Sequence, residues 1–228
     1  MLFLQSLFWV TVAAGAYFDG FHSSSSSSSE EHTHRHRKRP NYPHKPRPPR
    51  PPVPAPTPPP QCPSDWMTSI RPQGTWCIKV FYEPTTSYTA QARCQAQGAV
   101  LTGLQDANER MMVANAGRAL NNQYNGGNFA QLWIDGKRKP QCPNKPSCAQ
   151  YDTFQWTDGH TTGIAGFYWP GPEPNAFFVA KWGVQSCIIM HLSRADGQGA
   201  GFGYHHGDLD DEYCQQTNKL YACGKIAA

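Results

Sequence analysis

Beyond its first residues the chain has no apolar run approaching about 20 residues, so nothing further along is long enough to cross a bilayer as a helix. No Cys-x-x-Cys pair occurs, which argues against a thiolate zinc site. Gly-x-Ser-x-Gly, His-Glu-x-x-His and Walker-type loops are all missing. The pair His205-His206 with Asp208, in the Gly-rich stretch "GFGYHHGD", has no adjacent nucleophile and reads as loop polarity, so no enzyme is expected. There is no Asn-x-Ser/Thr sequon, and N-glycosylation is not expected. Charge of one sign is also missing where it would matter. Residues 61–228 hold 13 Lys/Arg against 13 Asp/Glu, and the net charge of +4 comes from residues 30–60, with seven Lys/Arg against two Glu. The C-terminal part therefore has no electrostatic footprint for nucleic acid.

The N-terminus carries the one apolar stretch. "MLFLQSLFWVTVAAGA" ends in Ala14-Gly15-Ala16, the small-x-small pattern of a cleaved signal peptide, although no Lys or Arg precedes it. Residues 1–16 are thus read as a signal peptide, and secretion to the extracellular space is expected, with no stable membrane insertion. Residues 17–60 come next as a disordered stalk: the serines 23–29, then a His-, Arg- and Pro-rich segment with too few aliphatic residues to build a core. Residues 40–60 read as a semi-rigid polyproline spacer of about 65 Å at roughly 3.1 Å per residue. A solvated spacer is the favoured reading of the stalk. Adhesion of the basic residues 35–39 to anionic surfaces, or metal binding by His32, His34 and His36, remain alternatives.

From Cys62 the composition is that of a packed domain. All eight cysteines lie here, an even number in a chain read as exported, so four disulfides are expected, with 105 formal pairings. "TWCIKVFYE" is strand-like, and "SYTAQARCQAQGAVL" reads as a helix starting near Ser87, with Ala90, Cys94 and either Tyr88 or Gln91 along one face and Gly98 as the stop. A second helix is expected over 107–120. "LWIDG" and "TFQWTDG" read as short strands entering turns, "CIIMHLS" as a buried strand and "KLYACGK" as the closing strand. Trp133, Ile134 and Trp156 are assigned to the core. Two early helices followed by short strands and long loops imply an α+β domain braced by disulfides.

Seven landmarks then occur in order: "CPSDW" with "WC" at 62–66 and 76–77, "CQAQGAVLTGL" at 94–104, "WIDG" at 133–136, "FQWTDG" at 154–159, "EPN" at 173–175, Cys187, and "LDDEYC" at 209–214. Together they resemble the C-type lectin-like domain, in its long form with an N-terminal hairpin and of the secreted, nematode type, over residues 61–225. The resemblance implies a C-type lectin-like fold of two helices, short antiparallel strands and a long disulfide-braced loop region. It also implies the pairings Cys62–Cys77, Cys94–Cys223 and Cys187–Cys214, leaving Cys142–Cys148.

The resemblance also implies a site. Sugar-binding members hold Ca²⁺ with Glu-Pro-Asn, a Glu two residues before a cysteine, and Asn-Asp on a nearby strand. Glu173 and Asn175 match the first motif around Pro174, expected to be cis. Asp210 and Asp211 stand in place of Asn-Asp, after a Leu209 that replaces the usual Trp, and Gln185 stands where a Glu is usual. The implied metal ligands are Glu173, Asn175, Gln185, Asp210 and Asp211, with Glu173, Asn175, Asp210 and Asp211 also contacting carbohydrate. Carboxylate and amide oxygens suit Ca²⁺, which takes six to eight oxygen ligands and leaves room for sugar hydroxyls. The expected function is Ca²⁺-dependent carbohydrate binding with a mannose-type preference, in the setting of microbe recognition and innate immunity, with glycans or glycoproteins as partners. The alternative is a Ca²⁺-independent protein-binding module on the same scaffold. The identity of the glycan and the oligomeric state are left open.

Overall fold

The computed structural model describes residues 46–47, 49–50 and 57–228. The expected signal peptide, the serine run, the three alternating histidines and most of the stalk lie outside the described residues. The chain divides into two units, Met1–Pro54 and Ala55–Ala228, and every described strand and helix belongs to the second.

The strands are β1 (Met67–Arg71), β2 (Gly74–Thr85), β3 (Val100–Leu101), β4 (Phe129–Arg138), β5 (Phe154–Gln155), β6 (Phe178–Val179), β7 (Gly183–Val184), β8 (Cys187–Ser193), β9 (Leu209–Glu212) and β10 (Asn218–Ile226). The two helices are α1 (Ser87–Gln95) and α2 (Ala107–Gln123). The main sheet runs β1-β2-β10-β4-β8-β9, with β3 added to β10 and β5 to β4. β6 and β7 form a separate small hairpin. This is the α+β, C-type lectin-like architecture expected from the sequence.

Both helices start where side chains can take up free backbone N–H groups. Thr86 caps α1 by accepting from Thr89 N, and Asp106 caps α2 by accepting from Glu109 N at 2.8 Å, each cap contributing about 1 kcal/mol. Glu109 turns back to accept from Gln105 N at 3.0 Å. Its carboxylate also pairs with the buried Arg71 of β1, which fixes the N-terminal hairpin against α2. α2 runs three residues past the expected 120 and ends at Gln123.

The central strands of the sheet are buried on both faces. Alternate residues of β8 and β4 (Ile188, Met190 and Leu192 with Leu132 and Ile134) pack with Val113 and Ala114 of α2. The intervening residues Cys187, Ile189 and Trp133 pack with Ala90 and Cys94 of α1. This two-residue alternation explains why "CIIMHLS" reads as continuously apolar: every side chain of β8 is buried. Trp133 and Ile134 are core residues as expected, and the Trp133 indole donates to Thr85 O at 2.9 Å. Trp156 is only partly buried: it stacks on Phe167 at 4.0 Å between ring centroids and donates to Gly163 O. β5 is shorter than "TFQWTDG" implied because buried Asp135 captures the N–H groups of Thr157 and Asp158, bending the chain away from the ladder.

All four expected disulfides are present: Cys62–Cys77, Cys94–Cys223, Cys142–Cys148 and Cys187–Cys214, with no cysteine left free. Cys94–Cys223 ties α1 to β10, and Cys187–Cys214 ties β8 to the segment following β9. β9 is thereby fixed at the sheet edge beside the long loop that joins β5 to β8. Among the described residues no helix is long and apolar enough to cross a membrane.

Candidate functional site

The long loop reaches the sheet edge at Glu173-Pro174-Asn175. It is anchored there by backbone and side-chain bonds: Leu209 N donates to Tyr168 O, and the Gln150 side chain donates to Glu173 O at 2.6 Å. The Glu173–Pro174 peptide is cis, as expected. Glu173 is 5 % exposed, Asp210 8 % and Asp211 fully buried, and one oxygen of each carboxylate lies within 4.8 Å of the others. Three of the five side chains predicted as metal ligands therefore converge on one point.

The three acids differ in what already satisfies them. Asp211 accepts from the backbone N–H groups of Asn175 and Ala176, at 2.8 and 2.9 Å, and from the Arg138 guanidinium. Arg138 is itself buried, lies over the Phe154 ring and also donates to the carbonyls of Gln185 and Cys142. Glu173 accepts from Asn175 N, the Asn175 amide and the Tyr204 hydroxyl, at 2.9, 2.9 and 2.8 Å. Asp210 has the His191 imidazole 3.3 Å from its Oδ2 and the Tyr204 hydroxyl nearby, which pulls its carboxyl down against burial, while its Oδ1 is buried and makes no hydrogen bond.

The two remaining predicted ligands are placed less directly. The Asn175 carbonyl oxygen accepts from Phe177 N at 2.8 Å, so it is used to shape the turn rather than turned to the acids. Gln185 Oε1 is buried and unpartnered, while its amide nitrogen faces Glu212.

The electrostatics are set by this geometry. Burial, with Glu173 alongside, pushes the Asp210 carboxyl up to about 8. Burial also raises Asp211 against the opposing pull of Arg138. Desolvation lowers His191 to about 4, so it stands neutral beside Asp210, stacked face to face on Tyr204 at 3.8 Å. Ionised, the three acids face one guanidinium and leave two negative charges uncompensated in a buried site. Such an arrangement favours either a proton or a cation. The donor set is oxygen only, which fits a hard divalent ion better than a soft one.

Sequence reasoning did not single out Arg138, His191 or Tyr204. Arg138 is hidden within Lys137-Arg138-Lys139, which looks like a solvated charge run. The one available signal was His191, a polar residue inside the otherwise apolar "CIIMHLS".

Residues 69–226 match the family model described as C-type lectin domain-containing protein 141/158. The chain belongs to this C-type lectin domain family. No curated protein matches its sequence. Similar solved structures include a calcium-independent type II antifreeze protein, 19 % identical with a TM-score of 0.46, covering 74 % of this chain and 96 % of that one. Another is the C-type carbohydrate-recognition domain of cow CD23 in the presence of a GlcNAc2Man3 oligosaccharide, 16 % identical with a TM-score of 0.47, covering 74 % and 98 %. A third is a Ca²⁺-dependent type II antifreeze protein in its Ca²⁺-free form, 19 % identical with a TM-score of 0.48, covering 72 % and 100 %. In this lectin-domain chain the converging acids lie on the cis-proline loop and on edge strand β9.

Proposed function

We propose that this lectin-domain chain is a secreted, Ca²⁺-dependent glycan-binding protein with a mannose-type preference, carried on its basic, proline-rich stalk and suited to recognising microbial surfaces. The observation that carries the reading is the buried Oδ1 of Asp210, which has no hydrogen-bond partner, in a carboxylate that converges with those of Glu173 and Asp211. Glu173 and Asp210 would hold the ion, Asp211 would share its charge between the ion and Arg138, and the unpartnered Gln185 Oε1 is a further oxygen of the right kind. A bound calcium ion would supply open coordination positions for two adjacent sugar hydroxyls. The chain's own part is to exclude water, fix Glu173 through Asn175 and Tyr204, and offer carboxylate oxygens as acceptors for those hydroxyls. Export is supported by the apolar N-terminus and by eight cysteines that all pair.

One observation favours a second reading. Arg138 already neutralises Asp211, so the loop has an internal cation and could serve a Ca²⁺-independent protein-binding module.

Thermal unfolding of the full-length chain in 5 mM CaCl₂ and in chelator separates the two. With a Kd on the order of 0.5 mM, typical of extracellular modules, calcium stabilises by about 1.4 kcal/mol and raises the midpoint by a few degrees. Glu173→Gln with Asp210→Asn should abolish that response. No response up to about 20 mM calcium refutes the calcium reading and leaves the protein-binding module.

A further inference from the structure

Beside Glu173 a second feature is built from the segment joining β8 to β9. Gly201, Phe202 and Gly203 all have positive φ, at 88°, 53° and 87°. Glycine accepts this conformation freely; a phenylalanine does not. The strain at Phe202 is not offset by burial, since the residue is 78 % exposed, second only to Ile70 among the large apolar residues described. The ring is nevertheless held in place. Phe129 meets it edge-on at 5.6 Å, and a Cβ on Gly201 would come within 2.9 Å of the Phe129 ring, so only glycine allows that approach. Hydrogen bonds from Tyr204 N to Gly201 O and from Ala200 N to Tyr204 O close the turn.

Phe202 lines a cleft of about 260 Å³ together with Pro170, Pro172, Glu173 and Tyr204. The volume falls just below the roughly 300 Å³ at which drug-sized ligand pockets begin, which suits a single ring. The cleft is amphipathic: prolines and an exposed aromatic face, then a carboxylate and a phenol. Tyr204 cannot swing out of the way, because its hydroxyl is bonded to Glu173 and its ring is stacked on His191. A pyranose has the matching form, an apolar C–H face and hydroxyls around its edge. A ligand entering this cleft shares Glu173 with the cation candidate.

We propose that Phe202 and this cleft form a second sugar subsite, so that the ligand is an oligosaccharide of at least two residues. One residue is held through vicinal hydroxyls at Glu173 and Asp210; its neighbour lies with its C–H face on Phe202. The inference rests on the proposed glycan-binding function and adds the size of the ligand and the residue that selects it.

Calorimetric titration of the full-length chain in calcium, with methyl α-mannoside and with a mannotriose, tests it. Mannotriose should bind about tenfold more tightly, the scale of one well-placed aromatic contact. Phe202→Ala should bring that ratio to about one while leaving the methyl α-mannoside affinity and the calcium-induced midpoint shift unchanged. Phe202→Tyr should retain the preference. The subsite is overturned if Phe202→Ala keeps the ratio, if it weakens both sugars equally, or if the wild type already binds both alike. If neither sugar binds the wild type, the glycan reading fails and the subsite with it, an outcome distinct from the loss of preference alone.

Discussion

Replacing Arg138 by methionine is the sharpest test of how the site is held together. Methionine keeps most of the side chain's length over Phe154 but removes the charge and the donors to Asp211 and to the carbonyls of Gln185 and Cys142. The side chains of the pair are 3 % and 0 % exposed, so the change leaves Asp211 buried with only two backbone N–H donors. Breaking one half of a buried pair costs about 3–5 kcal/mol. Protonation of the stranded acid limits the loss, which puts the expectation near 3 kcal/mol at neutral pH in chelator. For a domain of this size that is a fall of roughly 6–12 °C in the midpoint. Asp211→Asn should cost a comparable amount by stranding Arg138, and the double variant should lose clearly less than the sum, with a coupling of about 1–3 kcal/mol. Calcium adds a second readout. Without Arg138 the stranded Asp211 has no internal cation and only a proton or calcium can neutralise it, so the calcium-induced stabilisation should grow relative to wild type. Urea unfolding of the four proteins, in chelator and in calcium, measures both quantities. If Arg138→Met falls within about 1 kcal/mol of wild type and adds to Asp211→Asn without coupling, the internal-cation reasoning is wrong.

Acid should weaken the β8–β9 segment through His206. Its Nδ1 accepts from Ser193 N and its Nε2 faces Asn115 Oδ1, and burial lowers it to about 4, with Arg118 adding to the effect. Because the folded state keeps this imidazole neutral while the unfolded chain protonates near 6.5, its contribution is present above about 6.5 and is lost as the pH falls toward 4. An imidazole NMR titration should find the low value, and His206→Gln should make the fall in stability between those pH values shallower, leaving the share that the similarly lowered His191 contributes. The disulfides should divide by loop length. Cys94–Cys223 spans 129 residues and is worth about 5 kcal/mol, whereas Cys142–Cys148 spans six and is worth about 2. Replacing each pair by alanine and comparing denaturation midpoints checks the order, and a reversal would mean that native-state strain outweighs loop closure.

Much of the fold was legible because it rests on local rules. The helix starts at Ser87 and Ala107 are dictated by the capping residues Thr86 and Asp106. The apolar run of β8 shows a strand buried on both faces, and an even cysteine count in a chain with an apolar N-terminal stretch points to disulfides. The candidate site was legible only in part. Glu173, Asp210 and Asp211 could be picked out as acids in a recognised order, and they do meet. The roles of Asn175 and Gln185 could not be read, because which way an amide turns depends on neighbours such as Phe177 N and Glu212 that are supplied by the folded loop.

The sequence by itself determined the elements, the cysteine-rich domain and the acids available to a site, since caps, periodicity and charge are properties of short stretches. Only the tertiary structure decided that Asp211 is paired with Arg138, 73 residues away, while Asp210 is left with an orphaned oxygen. It alone set Phe202 beside Glu173. Those facts depend on contacts between residues far apart in the chain, where desolvation and pairing are fixed by the packing of the whole sheet edge and not by any local pattern.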